Sequence, residues 1–226
     1  GGMIGEVLEG VAERGALGRC DGVLSGYMGG ADIGEAILDA VGKVRAANPR
    51  AIYCCDPVIG DVGRGIYVRP GIPEFMRSRA VPAADVITPN QFELEYLAER
   101  TTGTLADARR AVEIVHLLGP KVILVTSLHT DETPADAIDL LASGPDGCFR
   151  LRTPKLDLSI NGAGDAIAAL FRRISFDDGL AYEARLFAAL MEAGGLLKTD
   201  PYLAALECLS PIFLMFYKYD RDPAGL

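Results

Sequence analysis

The sequence predicts an α/β fold in three layers, α/β/α, with helices over both faces of a mostly parallel central sheet. Three observations predict it. Runs of consecutive apolar residues, of which Val122-Ile123-Leu124-Val125 is the strongest, read as strands buried on both faces. Helical patterns alternate with these runs, as in parallel βαβ units. Turn residues end the runs sharply, Asp56-Pro57 after one and Pro89 after another.

Taken in order, residues 4–14 read as an amphipathic helix. That is an unusual opening, because a parallel sheet ordinarily begins with a strand. Either the fold starts on a helix or an N-terminal strand is missing. Residues 22–25 form a short apolar run, followed by a glycine-rich turn and a helical stretch over 32–48. Residues 51–55 and 85–88 read as strands, and 72–79 as a short helix between them. Helices are predicted over 91–100 and 105–118, then a buried strand over 121–126. Residues 137–142 and 148–152 flank Ser143-Gly144-Pro145-Asp146-Gly147, a hairpin signal at one edge of the sheet. Helices over 161–173 and 180–198 close the pattern. Residues 211–217 are apolar and aromatic, followed by a charged tail; they read as a segment docked on the core or as a partner surface. No internal repeat or low-complexity linker divides the chain, so residues 1–226 read as one domain.

Composition narrows the function. Half of the 226 residues are hydrophobic, enough to bury a sizeable core. A formal net charge of −9 repels a phosphate backbone and argues against a nucleic-acid partner. No apolar run reaches the roughly 18 residues of a membrane span, and no secretory signal opens the chain. The five cysteines are an odd number without CxxC spacing, which reads as reduced thiols in a cytoplasmic protein. Cys54 and Cys55, adjacent in a strand, point to opposite faces. With only two histidines, a His-rich metal site is excluded.

Four segments could carry chemistry. In Asn161-Gly162-Ala163-Gly164-Asp165, small residues precede an acid that opens an apolar helix. Glycines let successive N–H groups converge, and a helix N-terminus adds partial positive charge, together an anion hole for a phosphoryl group. Asp165 beside it could accept a proton from an attacking hydroxyl; the plainer reading is a first-turn acid stabilised by the helix dipole. In Asp56-Pro57-Val58-Ile59-Gly60-Asp61, two acids follow the end of a buried strand, where open α/β sheets bind ligands. Such acids suit Mg²⁺, and the basic loop Val62-Gly63-Arg64-Gly65 could lie over phosphates or be a surface turn. In Thr88-Pro89-Asn90-Gln91-Phe92-Glu93, Thr88 and Asn90 can bond a ligand, or Asn90 can be an N-cap with Glu93 its capping-box partner. Thr126 and Ser127 end the strongest strand. All four fall on one expected edge of one sheet, and that convergence points to phosphoryl transfer. A P-loop is absent, and Gly26-Tyr27-Met28-Gly29-Gly30 does not spell GxGxxG.

These same residues resemble the pyridoxal kinase family of the ribokinase-like superfamily. The resemblance is carried by the GAGD box at 162–165, DPVIGD at 56–61 with Gly63-Arg64-Gly65, TPNQFE at 88–93 and Leu24-Ser25-Gly26-Tyr27. It extends from about Gly5 to Phe171. It implies a ribokinase-like fold and ATP-dependent phosphorylation, with Mg²⁺, of the 5′-hydroxymethyl group of pyridoxal and related B6 vitamers. By resemblance Asp165 is the base, and Gly162, Ala163 and Gly164 form the anion hole. Asp56 lies near the ATP phosphates, with Asp61 and Glu93 on the metal side. Thr88, Asn90 and Thr126 match nucleotide-site positions, and Arg152, Thr153, Pro154, Lys155 and Leu156 match a stretch along the nucleotide. Tyr27, with Asp165, matches the pyridoxal side. The family also implies a homodimer.

Two departures qualify these expectations. The family carries a further N-terminal segment that supplies the first central strand and part of the ring site, so the expected sheet lacks that strand. After Phe171 the chain follows the family loosely, and residues 200–226 form a divergent tail. Two other readings stay open: a superfamily kinase for a hydroxymethylpyrimidine or a sugar, and a non-catalytic nucleotide-binding homologue.

Overall fold

The computed structural model describes residues 2–155. Leu156, the Gly162–Asp165 box, the helices expected over 161–173 and 180–198 and the segment 200–226 lie outside the described residues. Chain order is α1 (Gly2–Glu13), a 3-10 turn (Leu17–Arg19), β1 (Gly22–Ser25), α2 (Ala31–Ala47), β2 (Ile52–Cys55), β3 (Gly60–Asp61) and β4 (Gly65–Ile66). There follow α3 (Ile72–Phe75), a π turn (Met76–Ala80), α4 (Val81–Ala83), β5 (Val86–Ile87), α5 (Gln91–Ala98) and α6 (Leu105–His116). β6 (Val122–Leu128), β7 (Ala137–Gly144) and β8 (Gly147–Pro154) complete the described part.

Six strands form one sheet in the order β1-β2-β5-β6-β7-β8. The pairs β1–β2, β2–β5 and β5–β6 are parallel, while β6–β7 and β7–β8 are antiparallel. The expected edge hairpin is therefore present, with Gly144 paired to Gly147 across Pro145-Asp146. The strands are apolar on both faces because both are covered. Tyr53, Cys55, Ile87, Ile123 and Val125 join one core with Val41, Leu94, Leu97, Ala111 and Val115 of the helices. Cys54, Val86, Leu124, Leu140 and Ala142 form a second buried row. The adjacent Cys54 and Cys55 thus fall into different clusters, as the two-residue period requires. A sheet with two buried faces is the middle layer of a three-layer fold.

Two local features depart from the expected elements. The segment from Ile72 continues through a π turn to Ala83, beyond the short helix expected over 72–79. Pro82, which has no N–H to return to the preceding turn, follows directly on that widened turn. The loop after Asp61 is a two-stranded flap, Gly60 paired with Ile66 and Asp61 with Gly65. Gly63 and Gly65 take positive φ of 80° and 69°, a left-handed backbone that glycine adopts freely.

Packing of α2 on α3 depends on a missing side chain. A Cβ on Gly34 would run into the Phe75 ring. Gly34→Ala should therefore destabilise the protein by about 1–3 kcal/mol through overpacking, read by chemical denaturation. An unchanged midpoint would mean that Phe75 swings aside freely.

Candidate functional site

Parallel strands deliver their carboxyl ends to one rim. Asp56 leaves β2 with its N–H bonded to Ser25 O (2.8 Å), and Thr88 leaves β5 with its N–H bonded to Cys55 O (3.3 Å). Thr126 N donates to Pro89 O at 2.9 Å, and Asn90 and Thr126 form a parallel bridge. Asp56, Thr88 and Thr126 are buried polar residues in an apolar sheet. Such groups need partners, and Thr88 Oγ1 donates to Asp56 Oδ1 at 3.2 Å. The sequence-predicted residues Asp56, Thr88, Asn90, Glu93 and Thr126 are brought together at this rim.

Asn90 caps α5 through its side chain, which accepts from Glu93 N at 3.0 Å. Glu93 Oε2 accepts from Asn90 N at 2.9 Å, completing the capping box that the three-residue spacing suggested. The same two side chains also reach the segment that follows β2. Glu93 Oε1 accepts from Ile59 N at 3.0 Å, and Asn90 Nδ2 donates to Gly60 O at 2.8 Å. Capping and site-building are one structure: the helix start holds the DPVIGD segment. Gly60 has to be glycine, since a Cβ would lie 2.5 Å from Gly65 O and from the Phe92 ring.

Burial pushes the Glu93 carboxyl up to about 8, opposed by the bonds from the Ile59 and Asn90 amides and reinforced by the charge of Asp56. Asp61 is exposed and accepts from Val62 N at 2.7 Å. Asp56, Asp61 and Glu93 are hard oxygen donors of the kind Mg²⁺ takes when one or two carboxylates and substrate phosphates hold it. Among the described residues no group of three or more His, Cys, Asp or Glu side chains is placed to hold a metal ion by itself. One or two of these carboxylates suit Mg²⁺ only together with substrate phosphates and water.

Tyr27 is 61% exposed beyond the end of β1. Arg64, on the flap, places its guanidinium 5.3 Å from the centre of the Tyr67 ring. Arg152 has a partner that the sequence did not suggest. Its Nε and Nη2 donate to Asp139 Oδ1 and Oδ2 at 2.7 and 2.8 Å, and Nη2 also reaches Glu132 O at 2.8 Å. Asp139 is fully buried in β7 and also accepts from Thr133 Oγ1 at 2.8 Å. The Arg152 fork thus braces the loop after β6. Thr153 is buried, Pro154 and Lys155 are exposed, and Lys155 N donates to Asp136 O at 2.7 Å. An acid inside the apolar run Ala137-Ile138-Asp139-Leu140-Leu141 was the available signal, because buried acids are almost always paired. His116 bridges Pro120 O and Ser143 Oγ at 2.8 and 3.0 Å, a structural role.

Comparison with known proteins bears on the family and the fold. A family model described as phosphomethylpyrimidine kinase matches residues 18–178. A protein of Granulibacter bethesdensis named pyridoxal kinase PdxY is 56% identical over 211 residues, covering 92% of this chain and 73% of that one. The chain belongs to the pyridoxal kinase family. The namesake of Rubrobacter xylanophilus is 59% identical over 171 residues, covering 75% of this chain and 59% of that one. The chain therefore spans about three-fifths to three-quarters of the length of these pyridoxal kinase relatives. The alignment with the Granulibacter kinase covers 92% of this chain and extends past Phe171, whereas that with the Rubrobacter kinase covers 75%. Among solved structures, the pyridoxal kinase of Leishmania donovani in complex with ADP and pyridoxamine superposes with a TM-score of 0.73 at 26% identity. That match covers 83% of this chain and 65% of the other, and it establishes the three-layer ribokinase-like fold with a mostly parallel sheet.

Proposed function

We propose that the protein transfers the γ-phosphoryl group of ATP to the 5′-hydroxymethyl group of pyridoxal and related B6 vitamers. The observation that carries this reading is the rim itself. In a chain of this family, Asp56, Thr88, Asn90, Glu93 and Thr126 converge at the carboxyl ends of parallel strands, where α/β sheets bind ligands. Thr88, Asn90 and Thr126 would line the nucleotide, with Arg152, Thr153, Pro154, Lys155 and Leu156 along its other side. Tyr27 would face the pyridine ring.

Phosphoryl transfer needs positioning and charge neutralisation more than covalent chemistry. Asp165 would take the proton of the attacking hydroxyl as its oxygen bonds to the γ-phosphorus and the bond to ADP breaks. Amides of Gly162, Ala163 and Gly164 would hold the transferring oxygens. Asp61 and Glu93, partly through water, would hold Mg²⁺, which would supply charge neutralisation on the phosphates, and Asp56 would lie near those phosphates. Glu93 and Asn90 keep the DPVIGD backbone in place for this by their bonds to Ile59 N and Gly60 O. A homodimer and a cytoplasmic location belong to the same proposal; among the described residues no helix is long and apolar enough to cross a membrane.

The test is pyridoxal 5′-phosphate formation by the full chain with ATP, Mg²⁺ and pyridoxal. Product is expected. ATP binding without transfer to any vitamer would overturn the reading in favour of a non-catalytic homologue. The family model's description favours a hydroxymethylpyrimidine as the second acceptor to include.

A further inference from the structure

We infer that Gln91 is a positioning residue for the nucleotide side of the site, acting through the His129 backbone on the β6 bulge at Thr126 and Ser127. This rests on the nucleotide reading proposed above. Gln91 is the first residue of α5, a position that asks nothing of a side chain beyond helical φ and ψ. Its amide is nevertheless fully engaged. Oε1 accepts from His129 N at 2.9 Å, and Nε2 donates to His129 O at 3.1 Å. Nε2 also donates to Thr102 Oγ1 at 3.0 Å. One side-chain amide thus pairs both backbone groups of His129, as a neighbouring strand would.

The orientation of that amide is set from two sides. The His129 N–H can only donate, so it selects Oε1. Thr102 is fully buried, and its hydroxyl proton goes to Glu95 Oε1 at 2.8 Å, so Thr102 Oγ1 accepts and selects Nε2. Both demands agree.

The β6 bulge beside this clamp is strained. Ser127 has φ of 51°, a left-handed conformation that a non-glycine residue keeps only where its surroundings hold it. On one side β7 pairs with Val125 and Leu128, which flank the bulge, and the register shifts between them. On the other side the start of α5 ties the same stretch. Thr126 N is tied to Pro89 O before Ser127, and His129 is tied to Gln91 after it. Ser127 itself is exposed at the rim, next to the buried Thr126. Without the second tie, Ser127 would relax toward extended backbone and carry Thr126 away from the nucleotide.

The test uses the full chain with Gln91→Met, similar in size and unable to form these bonds. Calorimetry with ADP and steady-state kinetics with ATP and pyridoxal are read together. Losing the two bonds to His129, together with the one to Thr102, should raise the Kd for ADP and the KM for ATP about tenfold. The KM for pyridoxal and kcat should stay near the parent's. Adding Ser127→Gly, for which the left-handed backbone is native, should restore most of the ADP affinity. Unchanged ADP and ATP constants in Gln91→Met would overturn the role, as would no rescue by Ser127→Gly. A parent that binds no nucleotide would overturn the proposed function together with this inference. Should Gln91→Met fail to fold, hydrogen exchange in the parent decides. The His129 amide, although on an exposed residue, must exchange slowly, and fast exchange there overturns the clamp.

Discussion

Asp165→Asn should cut turnover by roughly 10²–10⁴-fold while leaving ATP affinity close to the parent's, the range a positioned general base contributes. Asparagine matches aspartate in shape and cannot take the hydroxyl proton. Asp165 follows Gly162-Ala163-Gly164 and opens an apolar run, so the expected helix dipole would keep its carboxyl ionised and ready to accept. An anion hole of backbone amides, as proposed for Gly162, Ala163 and Gly164, would survive the substitution. Kinetics of pyridoxal 5′-phosphate formation beside ADP titration separate the two effects. Full turnover in the variant would remove Asp165 from the mechanism, and loss of ADP binding would make it a structural residue.

Asp139→Ala should destabilise the protein by about 3 kcal/mol, the low end for breaking a buried pair because Arg152 is partly exposed. Asp139 has no exposed surface and accepts from Arg152 twice and from Thr133 once. Removing it strands the guanidinium beside an apolar strand. Burial pushes the Asp139 carboxyl up, but the bonds from Arg152 and Thr133 outweigh it and hold the group below its ordinary range. A carboxyl lowered in the folded state stabilises above its unfolded pKa, and that contribution is lost as pH falls through the folded value. Urea unfolding should therefore show a gap between parent and variant that is widest at neutral pH and narrows in acid. An equal gap at both would mean that packing, not charge, is what Asp139 provides.

Local patterns were legible because their physics is local. Asn90 and Glu93 stand three apart, and that spacing alone places one over the other at a helix start. Ser143 to Gly147 reads as a hairpin because the chain must reverse there. The two-stranded flap was read as an open loop, since segments of two residues carry no period. The pairing of Arg152 with Asp139 was not legible in the sequence.

Composition and spacing alone were enough to specify a mostly parallel α/β sheet and to point to its strand ends as the place for chemistry. Apolar runs, turn residues and glycines act on their immediate neighbours, so order along the chain reveals them. Pairings of distant residues needed the folded chain. Gln91 with His129, Glu93 with Ile59 and Arg152 with Asp139 are separated by 38, 34 and 13 positions. Those bonds form only once the chain has folded and brought these elements together, because a hydrogen bond depends on distance in space and leaves no period in the sequence.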